Sequence, residues 1–496
     1  MVMPERIVLK TSQNCACFAN DLAEEIRLFV DMTEVVSDTE ASEHDMLISV
    51  SLTEEDNAYK AQAFCGDKSY TYTYPVKAGS EIVQKRYMKR CVKVAAFRLM
   101  CMFFPDIKHP WGSLTGIRPT RLLRELYETE SNALSIMKNE FDVSIEKLEL
   151  ANEIVSVQKP IMATQSENDI DIYIGIPYCK TRCLYCSFPS EVRSKKTDME
   201  FYINALLKDI SNGAKIVREG GYKVRSMYMG GGTPTVLNED ELKRVLDHAL
   251  SEYGDYGMEF TVEAGRPDTI TKEKLKILYD RGVGRISINP QTMNEKTLEV
   301  IGRSHRSGDI KTAFETAREI GFKTINADVI AGLPGESLKD FEHTLFEIEK
   351  LAPENFTVHT LAIKRSSPLK MVLSEYTLAD QDEAEKMLSA GSECAKRMGM
   401  VPYYMYRQKY MRGNLENVGY ALPKTECIYN IDMMEETTSI MAHGACAMSK
   451  RIFEGERRVE RIPNPKDILT YSAKLDTLTE QKKELFLKDK TGKIIG

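Results

Sequence analysis

The chain has 496 residues, with 67 Lys and Arg against 74 Asp and Glu for a net charge of −7. That length allows two or three domains, each able to bury a core, and the mild acidity excludes broad, non-specific binding of nucleic acid or another polyanion while leaving room for a local basic pocket. Eleven cysteines are too dilute for a disulfide scaffold and suit a reducing compartment.

Met1 to Lys10 has no apolar signal core, and the longest apolar stretch, Val94 to Phe104, is broken by Arg98 and too short to span a bilayer. A cytoplasmic protein with no membrane span is expected. Residues 1–165 mix strand-like runs (Met46 to Leu52, Ala61 to Cys65, Tyr70 to Val76) with helical ones (Asn20 to Met32, Glu81 to Phe104, Leu134 to Asn139), an α+β domain. Its most distinctive segment runs from Pro110 to Arg124 and holds the only tryptophan with Arg118 and Arg121. This reads either as an ordered turn with solvated arginines or as a carboxylate-binding lip.

Residues 166–370 repeat one pattern: a short apolar strand, a Gly- or Pro-marked loop, then an amphipathic helix, the signature of parallel β/α units. The predicted strands are Asp171 to Ile176, Val224 to Met229, Met258 to Glu263, Arg285 to Asn289, Thr324 to Ile330 and Phe356 to Leu361, with helices such as Asp240 to Glu252, Lys272 to Arg281 and Lys339 to Leu351. Six such strands make an α/β fold, a partial (β/α)6 TIM-like barrel whose ligand groups gather at the carboxyl ends of the strands. Residues 371–496, with a helix from Ala379 to Met398 and a strand from Pro402 to Arg407, form an expected third domain that caps the barrel.

Directly after the first predicted strand, Cys179, Cys183 and Cys186 form a C-x3-C-x2-C triplet with no fourth cysteine nearby. A cubane iron–sulfur cluster has four irons, so three local thiolates leave one iron for an exogenous chelator. A zinc site would want four N or S ligands, and no second pair follows at zinc spacing. An electron-transfer cluster would want a fourth cysteine within reach, and three unrelated thiols remain the plain alternative. The other eight cysteines, Cys446 among them, read as buried small residues or inert thiols.

This triplet, followed at strand ends by Gly230-Gly231-Gly232-Thr233-Pro234, Glu263, Gln291, Arg303 and Asp328, resembles the radical SAM superfamily and, within it, the coproporphyrinogen dehydrogenase (oxygen-independent coproporphyrinogen III oxidase) family in its longer HemZ-type branch. The likeness extends over Leu114 to Pro119, Tyr404 to Arg407, Asn414 to Tyr420 and His443 to Ser449. It implies a 4Fe-4S cluster on Cys179, Cys183 and Cys186, with S-adenosyl-L-methionine on its open iron. Gly230, Gly231, Gly232 and Thr233 would meet the amino end of that molecule, Glu263 its ammonium, Arg303, on the helix after Gln291, its carboxylate, and Gln291 with Asp328 its ribose hydroxyls. Tyr173 and Tyr185 would pack on the cofactor, with Glu263 and Tyr173 in the catalytic set.

The implied chemistry is one-electron cleavage of the sulfonium to a 5'-deoxyadenosyl radical, hydrogen abstraction from the β-carbon of a propionate, and loss of carbon dioxide and one electron to leave a vinyl group, twice per coproporphyrinogen. A low-potential donor of the flavodoxin or ferredoxin type would supply the electron. Arg407, Lys409 and Arg412, with Arg118 and Arg121, are candidate anchors for a tetracarboxylate, and Tyr404 and Tyr406 offer flat partners for pyrrole rings. His305, His359 and His443 read as hydrogen-bonded residues or as proton carriers and haem ligands.

The sequence also departs from the pattern. Gly175 stands where many relatives carry histidine, Ser187-Phe188 follows the third cysteine in place of Gly-x-Cys, and Glu263 continues Ala-Gly-Arg-Pro with no second acid. Two functions therefore compete: an oxidoreductase acting on coproporphyrinogen III, and a haem-binding delivery protein. A radical enzyme acting on another tetrapyrrole or small molecule is a third.

Overall fold

Alternation of apolar runs with amphipathic stretches sets the architecture. The computed structural model describes residues 4–488 apart from 5, 31–33, 38–39, 43, 77, 117, 255–257, 408–413 and 454–457. Two compact units emerge: Met1–Asn152 with Gly413–Leu415, and Glu153–Arg412 with Glu416–Gly496.

The first unit carries a five-stranded sheet in the order β2-β1-β3-β4-β5: β1 (Arg6–Thr11), β2 (Glu34–Ser37), β3 (Met46–Glu55), β4 (Ala58–Cys65) and β5 (Lys68–Pro75). Ile48, Val50 and Leu52 of β3 are buried at alternate positions, as one face of a strand requires. Asp56 and Asn57, both at positive φ, make the two-residue turn into β4. Helices α1 (Ala19–Ile26), α2 (Glu81–Phe103), α3 (Pro119–Thr129) and α4 (Ala133–Asn139) complete it, with Trp111 fully buried. The first helix stops at Ile26, well short of the expected Met32, which lies outside the described residues. Helix α5 (Ile145–Met162) runs through the division between the units. The boundary falls near residue 152, not at the expected 165, because it lies inside a continuous helix that no change of composition marks.

The second unit is built on an eleven-stranded sheet whose centre is parallel. Its central strands are β6 (Asp169–Ile176), β9 (Lys223–Gly231), β10 (Glu259–Gly265), β11 (Arg285–Ile288), β12 (Thr324–Ala331) and β13 (Asn355–Thr360), paired in that order. The short strands β7 (Tyr178–Cys179) and β8 (Glu191–Val192) bracket the cysteine loop. All six predicted strands coincide with these six, with ends within two residues. Between them run α6 (Met199–Glu219), α7 (Glu239–Tyr253), α8 (Lys272–Asp280), α9 (Glu295–Val300), α10 (Ser307–Ile320) and α11 (Leu338–Leu351). Capping boxes at Asn238 and Ser337 fix the starts of α7 and α11.

Residues 371–496 do not stand apart as a third compact unit. After α12 (Gln381–Arg397), β14 (Val401–Tyr406) and β15 (Asn417–Ala421) join antiparallel beside β13. After α13 (Ile428–Glu435), β16 (Ser439–His443) lies parallel to β6 at the opposite side of the parallel strands, followed by β17 (Met448–Phe453), β18 (Arg458–Pro463), α14 (Ile468–Ala473) and α15 (Leu475–Phe486). An open parallel sheet leaves unpaired N–H and C=O groups along both edges, and this section pairs them. Among the described residues no helix is long and apolar enough to cross a membrane.

Candidate active site at the strand ends

Strand β6 ends at Ile176, and the chain turns into β7 and the cysteine loop. Main-chain bonds hold that loop from three sides: Arg193 N donates to Cys179 O (2.9 Å), Leu184 N to Ile301 O (3.0 Å), and Leu369 N to Leu184 O (2.9 Å). Thr233 Oγ1 donates to Cys179 Sγ (3.6 Å), and the Cys179 thiol donates to Ser190 Oγ (3.4 Å). Burial pushes the Cys186 thiol up, and the nearby Cys183 and Cys179 sulfurs push it further. All three thiols are free. Among the described residues no three His, Cys, Asp or Glu side chains converge as on a single metal ion. A cube of four irons asks for something else, since each thiolate binds its own corner.

The strand-end residues form a polar cluster. Gly231 has φ +109, and a Cβ on Gly232 would lie 2.4 Å from Tyr178 O, so neither position admits a side chain. A Cβ on Gly230 would lie 2.8 Å from the carboxyl carbon of Glu263. Glu263 Oε1 accepts from Tyr228 OH (2.8 Å) and Oε2 from Gly231 N (3.3 Å). Burial raises its carboxyl to about 7, aided by the Asp328 charge and opposed by the Tyr228 hydrogen bond. Burial acts to raise Asp328 too, but its bonds from His359 and Asn326 outweigh that and keep it below its ordinary value. Asn326 Nδ2 donates to Asp328 Oδ1 and to Ser287 Oγ, both at 2.7 Å. His359 Nε2 lies 3.6 Å from Asp328 Oδ2, and its Nδ1 is 3.1 Å from Tyr406 OH.

Gln291 lies three residues beyond β11, at φ +67, and exchanges main-chain bonds with Asp328 and Ile330. Its side-chain Oε1 is buried without a partner. Arg303 is also buried. It sits in the loop after α9 and not on the expected helix, because the chain turns at Gly302, φ +74. Its Nη1 donates to Asn289 O (2.6 Å) and its Nη2 to Tyr185 OH (3.1 Å), while Nε has no partner. A buried polar atom left unpaired costs roughly 1–3 kcal/mol. Two of them past the end of β11 fit a ligand rich in hydroxyl and zwitterionic groups, and three free thiols fit an iron–sulfur cube with one open corner.

Aromatic rings pack together in one buried cluster. Tyr173 stacks with Tyr228 and Tyr429 at ring-centre distances of 6.4 and 6.2 Å, and the latter two lie 4.5 Å apart. Tyr404 and Tyr406 lie 6.4 Å apart with planes 5° from parallel. The remaining expectations divide. Lys409 and Arg412 lie outside the described residues. Arg118 and Arg121 belong to the first unit, where Arg121 Nε pairs with Glu125 (3.2 Å). His359 and His443 are hydrogen-bonded, whereas both His305 ring nitrogens are buried without partners, and burial drops its pKa to about 4. Among the other cysteines, Cys17 is exposed, not buried.

Arg266 was not expected here. Only 3% exposed, it clamps Asp268 and points Nη1 at Cys183 Sγ, 3.8 Å away. Its one sequence signal is Arg-Pro-Asp immediately past Gly265, where Asp268 is placed to turn the guanidinium inward.

Residues 173–348 match the family described as the radical SAM superfamily. Over 384 residues the chain is 39% identical to the oxygen-independent coproporphyrinogen-III oxidase-like protein HemZ of Bacillus subtilis, covering 76% of this chain and 77% of that one. It is 41% identical over 196 residues to the haem chaperone HemW of the same organism, covering 39% of this chain and half of that one. Coproporphyrinogen III oxidase from Escherichia coli shares the fold, with a TM-score of 0.51, 21% identity, and coverage of 66% of this chain and 73% of that one.

Proposed function

Since the chain belongs to the radical SAM superfamily and, within it, to the family of oxygen-independent coproporphyrinogen-III oxidase-like proteins, we propose that it is a cytoplasmic oxidoreductase that converts coproporphyrinogen III to protoporphyrinogen IX without oxygen. Its cofactors are a 4Fe-4S cluster and S-adenosyl-L-methionine, which when bound supply one-electron cleavage and hydrogen abstraction from an unactivated carbon.

Cys179, Cys183 and Cys186 would hold the cluster. Glu263, with the main chain of Gly230 to Gly232 and Thr233, receives the ammonium of S-adenosyl-L-methionine. Arg303 grips its carboxylate, Gln291 and Asp328 bind its ribose hydroxyls, and Tyr173 and Tyr185 pack against it. Tyr173, Tyr228, Tyr429, Tyr404 and Tyr406 keep water out and present flat faces to a pyrrole. A low-potential carrier of the flavodoxin or ferredoxin type delivers the electron. Each propionate then loses one hydrogen atom, carbon dioxide and one further electron to an acceptor. The observation that carries this reading is the pair of unpartnered buried atoms, Gln291 Oε1 and Arg303 Nε, past the carboxyl end of the strand that follows Glu263's own.

The likeness to a haem chaperone favours a second reading, haem delivery. Anaerobic incubation of the reconstituted chain with dithionite, S-adenosyl-L-methionine and coproporphyrinogen III separates the two. Vinyl-bearing product and free methionine are expected. Tight haem binding with no product would establish the carrier instead, and 5'-deoxyadenosine without decarboxylated porphyrin would point to a different substrate.

A further inference from the structure

The three cluster cysteines do not share one electrostatic setting. Cys179 faces the hydroxyls of Ser190 and Thr233. Cys183 instead faces cations: Arg266 Nη1 lies 3.8 Å from its sulfur, and the Cys183 sulfur also acts on the buried guanidinium of Arg303. Arg266 is locked in place. Its Nε and Nη2 donate to Asp268 Oδ1 and Oδ2 (3.0 and 3.1 Å), its Nη1 donates to Thr181 Oγ1 (2.5 Å) and Thr181 O (3.3 Å), and Nη2 reaches Ser304 Oγ (3.4 Å). Lys180 Nζ stands 3.4 Å from Asp268 on the solvent side. The guanidinium thus has one edge on a carboxylate and the other on the loop Thr181–Cys183.

We propose that Arg266 is a positioning residue for the iron–sulfur cluster: it fixes the Cys183 corner and, by holding a clamped positive charge there, sets the cluster's reduction potential. The inference rests on the cluster assigned above. Reduction adds one negative charge to the cube, and a fixed cation beside one of its thiolates favours the reduced state over the oxidised one. Because the site is buried, the effect is larger than in water. Hydrogen bonds and charge around the ligating sulfurs are established levers on such potentials. Asp268 offsets part of the charge, but it sits behind the guanidinium and farther from the sulfur side, so the sign of the effect is that of the arginine.

The test uses the full chain, reconstituted anaerobically, with iron counting, a redox titration followed by electron paramagnetic resonance, and thermal unfolding of the metal-free protein. Arg266→Met is expected to keep its iron but lower the midpoint. At the potential that half-reduces the unsubstituted protein, its reduced-to-oxidised ratio should fall at least tenfold, which is 59 mV for one electron. Arg266→Lys should recover most of that shift. Asp268→Asn, which unmasks the cation, should move the midpoint the opposite way and covers the case in which Arg266→Met fails to fold. An unchanged midpoint in Arg266→Met, or the same sign of shift in Arg266→Met and Asp268→Asn, overturns the proposal. An unsubstituted chain that takes up no four-iron cluster would instead overturn the cofactor assignment beneath it.

Discussion

Two buried polar clusters in the second unit have opposite designs. On α6, Asp209 is 2% exposed and receives Lys482 Nζ (2.8 Å), Tyr471 OH (2.8 Å) and Gly444 N (3.1 Å), with His443 Nδ1 at 3.4 Å. Burial acts to raise its carboxyl, but Lys482 and His443 outweigh it and hold it well below the carboxylate range. In the strand-end cluster the balance is reversed. Burial outweighs the Tyr228 and Gly231 hydrogen bonds and His359 and drives Glu263 up to about 7, while Gln291 and Arg303 keep unpaired atoms. In the first cluster the carboxylate is held by the chain's own groups, which fasten α15 and β16 to α6. In the second the carboxyl is held with no such cation clamp, which is what a binding site for charged and hydroxylated groups requires.

That contrast can be broken at several points. The largest effect is expected from the cysteine loop: Cys179→Ala, Cys183→Ala or Cys186→Ala should each remove most of the iron taken up on reconstitution, while Cys446→Ala leaves iron content unchanged. Equal losses from all four would show that the loop is not the metal site. In the Asp209 cluster, Lys482→Met strands a buried carboxylate and should cost roughly 3–5 kcal/mol of stability, read by denaturant unfolding, with affinity of the folded fraction for S-adenosyl-L-methionine unchanged.

Glu263→Gln should act in the opposite sense. The folded pKa of Glu263 lies above its ordinary 4.5, so the folded state holds the proton more tightly and the carboxylate weakens the fold. The penalty is absent below about pH 4.5, grows as pH rises toward 7 and is complete above it, with an upper limit of about 3 kcal/mol. Glu263→Gln should therefore stabilise the metal-free protein at pH 8, by up to that amount, and lose this advantage at pH 4, while weakening S-adenosyl-L-methionine binding at least tenfold. A variant that is destabilised at pH 8 would place Glu263 with the Asp209 cluster. Gln291→Leu should show the same signature more weakly: stability within about 1 kcal/mol of native, with reduced affinity for S-adenosyl-L-methionine in calorimetry.

Much of this was legible in the sequence because it is local. Strand β6 is an apolar run, Gly230 to Gly232 mark a turn, and the spacing of Cys179, Cys183 and Cys186 needs no third dimension. What escaped was long-range. Nothing in Ser439 to His443 says that this short run will pair with Ile170 to Ile174, because a five-residue apolar segment carries no address. Arg266 reads as a surface charge until Asp268 and Thr181 are seen to fold it inward. Asp209 did leave a trace: it interrupts the stripe of Leu206, Ile210 and Ala214 on α6, and an acid in an apolar stripe must find a partner.

The placement of β16 has a consequence for biosynthesis. During translation the strands β6 to β13 emerge in the order in which they pair, so each can dock on its predecessor as it leaves the ribosome. The flank of β6 cannot be covered in that way, since its neighbour is made hundreds of residues later. Nascent chains halted before Ser439 should thus present a bare β6 edge able to recruit other polypeptides, and synthesis of β16 becomes the step that shields that edge from aggregation.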